Sequence, residues 1–357
     1  MVNRLLGRRS DDLSRELIHS FPLLGLEYFA RQALAKNIES RSAAYLAGGK
    51  KFARQVAKAG FGAAGGVFGF NTAALELLQA ARKRGLRTVM EQCIAPRAYE
   101  EELLALEQDR FPGWEPPRVR GPSTQETIER EHEEWALADL ILCGSEFVKH
   151  GVAHCGGPVE RCVVVPYGVD TRFSPVPRSG RSGPLRVLSV GEAGLRKGVT
   201  YAMETAQMLG ADAEFRWVGS VSLEPSARSQ VAKFVQLAGA IPRSEMRAQF
   251  EWADVFFLPS VCEGSATVTY EALMSGLPVV TTPNTGSLVR DGVDGFVVPV
   301  CDTAAMTVRL GMLHHDRDLV RKMGEAAAAA TDLVSLDAYS QRLLAALHGA
   351  NSSSHGG

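Results

Sequence analysis

The 357-residue chain has little that would mark a secreted, membrane-spanning or nucleic-acid-binding protein. It holds only six cysteines, at positions 93, 143, 155, 162, 262 and 301, and no two form a C-x-x-C pair. That sets aside the commonest zinc and redox-active spacings. Cys143 in "LILCGS" and Cys162 in "RCVVVP" lie in apolar runs, where a reduced cysteine packs as a small hydrophobe, as suits a reducing compartment. His150, His154, Cys155 and Cys162 are metal-ligand types without a recognised metal spacing. No window approaches the roughly 18 uninterrupted apolar residues of a membrane span. The opening "MVNRLLGRRSDDLSRE" has no apolar core and does not read as a signal peptide. A net charge of −1 gives no overall basic footprint for nucleic acid.

Charge is uneven along the chain all the same. Residues 1–60 carry 11 Lys/Arg against 5 Asp/Glu, while residues 98–134 lean acidic. The basic stretch is a candidate contact with an anionic membrane surface, set against the plainer reading of a solvated helix face.

The 45% hydrophobic and 22% charged fractions are those of a soluble globular protein, and the length suits two domains. From about residue 67, short β-rich runs alternate with helical patterns: "GVFGF", "TAALELLQAARKRG", "LRTVMEQ", "ADLILCGS", "RCVVVPYGVD". Such alternation predicts βαβ units on a parallel sheet. "SPVPRSGRSGP", at 174–184, reads as a linker, and the alternation resumes with "LRVLSVGE". The expected division is a first α/β domain over 1–173, a linker over 174–184 and a second α/β domain over 185–334. An amphipathic helix over 335–348 and a disordered tail over 349–357 complete it. The first sixty residues read as helical and offer no opening strand.

Gly60, Gly62 and Gly65 spell G-x-G-x-x-G, but a helical run precedes them and a strand comes after. A dinucleotide fingerprint needs the reverse order, so an oxidoreductase reading falls. "HHDRD" at 314–318 offers Asp316 and Asp318 as a D-x-D pair, yet no strand leads into it, and a polar surface turn is the expectation.

Two segments lie just after strands and point to one cleft. "VGEAGLRKGV" places Gly191 at a strand end, with Arg196 and Lys197 near the next helix start, where cations and free amides suit an anionic ligand. "CEGSATVTYEALMSGLPVV" delivers Glu263 from the end of the strand "ADVFFLPS". Gly264 and Ser265 allow close backbone approach, and a helix opens near Ser265, Ala266 and Thr267 with unpaired amides. Glu271 lies one turn further in. Amides for a diphosphate, flanked by two hydroxyl-binding carboxylates, make a nucleotide-sugar site.

Taken in order, "ADLILCGSEFV", "VVVPYGVDTRF", "VGEAGLRKG", "LAGAIPRSEM", "WADVFFLPS", "EGSATVTYEALMSGLPVVTT" and "VRDGVDGFVVP" resemble retaining glycosyltransferases of family 4. The resemblance runs from about Ala138 to Leu347 and implies a GT-B fold, two Rossmann-like domains facing a cleft. It implies that Glu263 binds the donor sugar, Glu271 the ribose and Lys197 the diphosphate, with Ile241, between Ala240 and Pro242, near the base. The final helix is implied to pack back on the first domain. Three departures stand out. The arginine that the family places after the strand-ending glycine is Glu192 here, with Arg196 as the nearest substitute. The histidine that it places after the strand matching "LRTVM" finds Gln92, beside Glu91, as the acceptor-side candidates. The family's opening strand and glycine-rich loop are not found, so the resemblance implies a first domain short of its usual beginning.

The function so implied is a hexosyltransferase-like, metal-independent, cytoplasmic enzyme. It moves a sugar from a nucleotide-diphosphate donor, its co-substrate, to a glycan or lipid-linked acceptor with retention, in cell-surface polysaccharide or glycoconjugate synthesis. No cofactor and no nucleic-acid partner are implied. The alternative is a nucleotide-sugar-binding relic or regulator without catalysis.

Overall fold

A computed structural model describes residues 18–118, 120–170, 175 and 182–349. The linker residues 174 and 176–181, the basic residues 1–17 and the tail residues 350–357 lie outside the described residues.

Among the described residues two helices come first, α1 (Pro22–Leu34) and α2 (Ile38–Ala59). Asn37 starts α2 with a capping box, accepting from Ser40 N at 2.8 Å while its own amide donates to Ser40 Oγ at 3.1 Å. The glycine cluster at 60–65 lies between α2 and strand β1 (Gly66–Phe70), a helix-to-strand passage.

Next come α3 (Leu75–Arg82), β2 (Arg87–Gln92), α4 (Arg97–Arg110), α5 (Pro122–Leu137), β3 (Leu140–Cys143), α6 (Glu146–His154) and β4 (Cys162–Val164). Among the described residues the first sheet has four parallel strands in the order β1-β2-β3-β4. Alternation on β2 and β3 sends Met90, Ile141 and Cys143 to one face, against Leu78, Trp135, Val148 and Val152. Val89, Leu140 and Leu142 face the other way.

The second domain holds β5 (Leu185–Val190), α7 (Val199–Leu209), β6 (Ala213–Val218), α8 (Pro225–Val231), β7 (Val235–Gly239) and α9 (Met246–Trp252). It continues with β8 (Val255–Leu258), α10 (Thr267–Met274), β9 (Val279–Thr281), β10 (Gly295–Val297), α11 (Thr303–His315), α12 (Arg317–Ala328) and α13 (Thr331–Val334). Its six parallel strands run β10-β9-β8-β5-β6-β7. Helices cover both faces, and the strands read as continuous apolar runs, as "VFFL" of β8 shows with four buried residues.

The last helix, α14 (Leu336–Gly349), returns to the first domain. Tyr339, Leu343, Ala346 and Leu347 pack on Val89, Leu140, Leu142 and Val165, and Arg342 donates to the carbonyls of Pro166 and Tyr167. Gly349, which the sequence assigned to a disordered tail, closes this helix, so the boundary moves by one residue. Asp316 caps α12, accepting from Leu319 N at 2.9 Å. Among the described residues no group of three His, Cys, Asp or Glu side chains is arranged to hold a metal ion, and no helix is long and apolar enough to cross a membrane.

Candidate functional site

The second sheet reverses its winding between β5 and β8, which are hydrogen-bonded neighbours. A doubly wound sheet opens a crevice beyond the carboxyl ends of the strands at such a point. β5 runs out at Gly191 and β8 runs out toward Glu263, so both candidate segments sit at this reversal.

Gly191 adopts φ +128°, where a side chain is strained, and a Cβ there would lie 2.5 Å from Cε of Lys197. The missing side chain is the space through which the lysine passes. Lys197 itself stands on a short 3₁₀ turn, Leu195–Lys197, ahead of α7 rather than on the helix. Gly198, at φ +73°, ends that turn, and a Cβ on it would meet the carbonyl oxygen of Pro259 at 2.0 Å. The turn is thus pressed against the exit of β8. Backbone bonds fix it there: Val261 N and Cys262 N both donate to the carbonyl of Arg196, at 3.0 and 3.2 Å.

Glu263 meets this turn directly. Its Oε1 lies 2.5 Å from Lys197 Nζ and 3.0 Å from an Arg196 guanidinium nitrogen. Lys197 and Glu263 are each only 8% exposed, so water screens the cluster weakly. Two cations share one carboxylate, which leaves positive charge in excess for an anion. Burial works against the charge on Arg196, but Glu263 and Glu100 outweigh it and hold the guanidinium above its ordinary range. Glu192 takes no part: it is exposed and accepts from Ser220 Oγ at 3.3 Å.

Gly264 must be a glycine because a Cβ would stand 2.1 Å from the carbonyl oxygen of Cys93 in the first domain. The two domains meet at this point, where Ala95 N donates to Glu263 O at 3.3 Å and Ser145 Oγ to Gly264 O at 2.5 Å. Ser265 pairs its hydroxyl with Tyr270 Oη at 2.6 Å, and Ala266 N donates to Thr285 O at 3.2 Å. α10 begins at Thr267, which is exposed, and its cap residue Ala266 supplies no side-chain acceptor. No side chain therefore caps the first amides of the helix, although Thr269 N donates to Ala266 O at 2.9 Å. Glu271, on α10, pairs with Arg243 at 3.2 Å. Ile241 is half-buried in the loop after β7, against the same core cluster as Val268.

On the first-domain side the two candidates part company. Glu91, the next-to-last residue of β2, accepts from Tyr167 Oη at 2.5 Å; burial raises its pKa and the tyrosine offsets part of that. The neighbouring Cys93 thiol is pushed up to about 12 by burial and by Glu91, which makes it inert. Gln92 offers nothing to the cleft: it is fully buried, donates to Glu131 Oε1 at 2.8 Å and Ile94 O at 3.1 Å, and accepts from Trp135 Nε1 at 3.0 Å. The acceptor-side expectation at Gln92 is corrected accordingly, because its amide is an internal link between β2 and α5.

Beside it, a cavity of about 440 Å³ opens at the ends of β1 and β2, lined by Tyr45, Phe70, Asn71, Thr72, Ile94 and Glu131 among others. Thr72 has a left-handed backbone, φ +67°, unusual for a β-branched residue, and its buried Oγ1 has no hydrogen-bond partner. Glu134 holds this strained turn by accepting from the amides of Thr72, Ala74 and Leu75 at 2.7, 3.0 and 3.0 Å. Sequence reasoning passed over Asn71, Thr72 and Tyr167. The second-half alternation gives no signal for the first two, whereas Tyr167 lay within the quoted "VVVPYGVD".

Two parallel α/β domains that meet across a cleft, with cations and helix amides at the second domain's switch point, define a protein of the GT-B class. Residues 184–316 match the family described as Glycosyl transferases group 1. Among curated proteins, the chain is similar to the putative colanic acid biosynthesis glycosyltransferase WcaL of Escherichia coli, with 33% identity over 189 residues, 48% of this chain and 47% of WcaL. It is also similar to the amylovoran biosynthesis glycosyltransferase AmsK of Erwinia amylovora, with 30% identity over 193 residues, 49% of this chain and 47% of AmsK. The match thus spans about half the length of these relatives. In solved structures, HepE of Anabaena in complex with UDP aligns with a TM-score of 0.63 at 15% identity, covering 85% of this chain and 82% of HepE. Sucrose-phosphate synthase of Thermosynechococcus elongatus aligns with 0.64 at 16% identity, covering 89% and 80%. These establish the shared fold.

Proposed function

We propose that the chain is a retaining glycosyltransferase that moves a sugar from a nucleoside-diphosphate donor to a glycan or lipid-linked acceptor in polysaccharide assembly. The observation that carries this reading is the cluster of Lys197 and Arg196 on Glu263 at the β5–β8 switch point. In this reading the donor diphosphate lies over Gly191 and the start of α10. Its developing negative charge meets Lys197, Arg196 and the helix amides, preorganised where water is scarce. Glu263 accepts from hydroxyls of the sugar, and Glu271 from the ribose, with Ile241 beside the base. These protein cations supply the neutralisation, so no metal is required.

The acceptor lies in the first-domain cavity, with Tyr45 and Phe70 as aromatic walls and Asn71 as a polar partner. Its hydroxyl oxygen attacks the anomeric carbon from the face that the diphosphate leaves, and its proton passes to a leaving phosphate oxygen. That route keeps the anomeric configuration and needs no protein nucleophile. The names of WcaL and AmsK support the polysaccharide setting, and the UDP complex of HepE supports a nucleotide donor. A peripheral membrane contact belongs to the same reading, since α1 turns Leu23, Leu26 and Leu34 to solvent, with the exposed Lys36 just after the helix in sequence.

A second reading, donor binding without turnover, draws on Glu192 and Gln92, neither of which presents a catalytic group to the cleft. Incubation with UDP-, GDP- and ADP-sugars, with and without EDTA, separates the two. Transfer with an unchanged anomeric configuration by NMR, insensitive to EDTA, is the expected result. Binding without transfer or donor hydrolysis supports the relic, and a loss restored by manganese or magnesium refutes metal independence.

A further inference from the structure

The turn that carries Lys197 is held from the other domain. After α4 the first-domain chain runs through residues 111–116, "FPGWEP", and this loop lies on the second domain. Phe111 and Trp114 pack against its core cluster, with Phe111 edge-on to Tyr201 at 5.7 Å between ring centres. Trp114 O accepts from Glu224 N at 2.8 Å. One residue further, Glu115 Oε1 accepts from Leu195 N at 2.7 Å and from Ser222 Oγ at 3.2 Å.

Leu195 opens the 3₁₀ turn Leu195–Lys197, and its amide is one of the donors that a helical turn leaves unpaired at its start. The preceding Gly194 is extended, so its backbone suits any residue, but a Cβ there would lie 2.4 Å from both Glu115 Oε1 and Ser222 Oγ. The glycine is there to admit the carboxylate. The far side of the turn is fastened from α4 as well: Tyr201, near the start of α7, donates to Glu107 at 2.8 Å and accepts from Arg110 at 2.7 Å.

We propose that Glu115 is a positioning residue for the donor site: it fixes the Gly194–Lys197 turn from the first domain and so makes the aim of Lys197 depend on the docking of the two domains. The inference rests on the donor-binding reading above. Its chemistry is that of a cap. A carboxylate oxygen on the first amide holds the turn's backbone, and the backbone fixes where the lysine stem leaves Gly191. The acceptor oxygen matters here, not the negative charge, because Glu115 contacts no cation of the site among the described residues.

Three variants test it: Glu115→Ala, Glu115→Gln and Glu115→Ala with Lys197→Ala. Exchange of the amides over 193–198 is followed by hydrogen–deuterium mass spectrometry, and binding by calorimetry with whichever of UDP, GDP and ADP the wild type holds most tightly. Glu115→Ala should speed exchange over 193–198 and weaken binding by roughly five- to tenfold, the scale of one ordinary hydrogen bond. Glu115→Gln keeps an acceptor oxygen and should stay within about threefold of wild type. In the double variant the losses should fall well short of multiplying, because both act through Lys197. Unchanged exchange in Glu115→Ala, or losses that multiply in full, would overturn the positioning role while leaving donor binding intact. If the wild type binds none of the three diphosphates, the donor reading fails, and this inference falls with it.

Discussion

The Nζ of Lys197 lies 2.5 Å from Oε1 of Glu263, although the two residues are carried by the ends of different strands. Both are almost wholly buried, so the pair acts in a medium where charge is costly unless matched. Arg196 completes the cluster at 3.0 Å. Removing the lysine therefore takes away a preorganised charge that water cannot replace. Lys197→Ala should lower transfer by roughly 10²–10³ and weaken nucleoside diphosphate binding as well. Steady-state kinetics beside calorimetry measures both, and wild-type turnover in the variant would mean that the diphosphate lies elsewhere.

Gly191 gives an independent handle on the same lysine. Its φ of +128° and the 2.5 Å approach of Lys197 Cε leave no place for a methyl group. Gly191→Ala should cost about 1–3 kcal/mol of stability through backbone strain. It should also reduce diphosphate affinity as Lys197→Ala does, because the stem must leave its channel. Chemical denaturation and binding are both needed: a variant that loses stability but keeps full affinity would show that the lysine reaches the ligand by another path.

Much of this geometry was legible because strands and their ends leave local marks. The runs "LRVLSV" and "VFFL" are apolar and short, and residues just past a parallel strand's carboxyl end face the crevice, which singles out Lys197 and Glu263. The ion pair between them was not legible, since 66 positions separate them and no local pattern reports the β5–β8 pairing. Gln92 misled for the same reason: its partners Glu131 and Trp135 come from α5, far along the chain. Glu115 gave no signal at all, because a single acid in "FPGWEP" reads as ordinary loop. Arg196 and Lys197 were placed near a helix start, and the separate 3₁₀ turn that bears them is due to Gly198, whose left-handed backbone breaks the turn from α7.

Four buried glutamates set the direction of the stability profile with pH. Burial raises the pKa of Glu91, Glu107, Glu131 and Glu134, the last to about 7. A carboxyl with a raised pKa binds its proton more tightly folded than unfolded, so folding takes up protons between the two pKa values. The stability that these groups contribute is complete below the unfolded value near 4.5 and is lost as pH rises through the folded value. For Glu134 the window runs from about 4.5 to about 7. The thermal midpoint should therefore rise as pH falls from 7 toward 5, and Glu134→Gln should flatten that slope. Calorimetry at pH 5, 6 and 7 checks it; a midpoint that drops steadily toward pH 5 would mean that these side chains are ionised in the fold.

Glu263 and Glu271 should fail in opposite directions when each is removed. Glu271 stands on α10 beside Arg243, apart from the lysine turn, where the donor-binding reading puts the ribose. Glu271→Ala should weaken binding of the free nucleoside diphosphate by roughly ten- to a hundredfold, the worth of a charged hydrogen bond. Glu263 is different, because it holds Lys197 and Arg196. A free diphosphate has no sugar for Glu263 to bind, and it competes with that carboxylate for the two cations. Glu263→Ala should therefore bind the diphosphate at least as tightly as wild type, yet lose transfer sharply, since nothing then accepts from the sugar hydroxyls. Glu263→Gln guards against loop collapse: it keeps the shape and an acceptor oxygen while releasing the cations, and it should bind the diphosphate in the same way. Titration of all three variants beside a transfer assay decides the matter, and equal loss of diphosphate affinity in Glu271→Ala and Glu263→Gln would refute the division of labour.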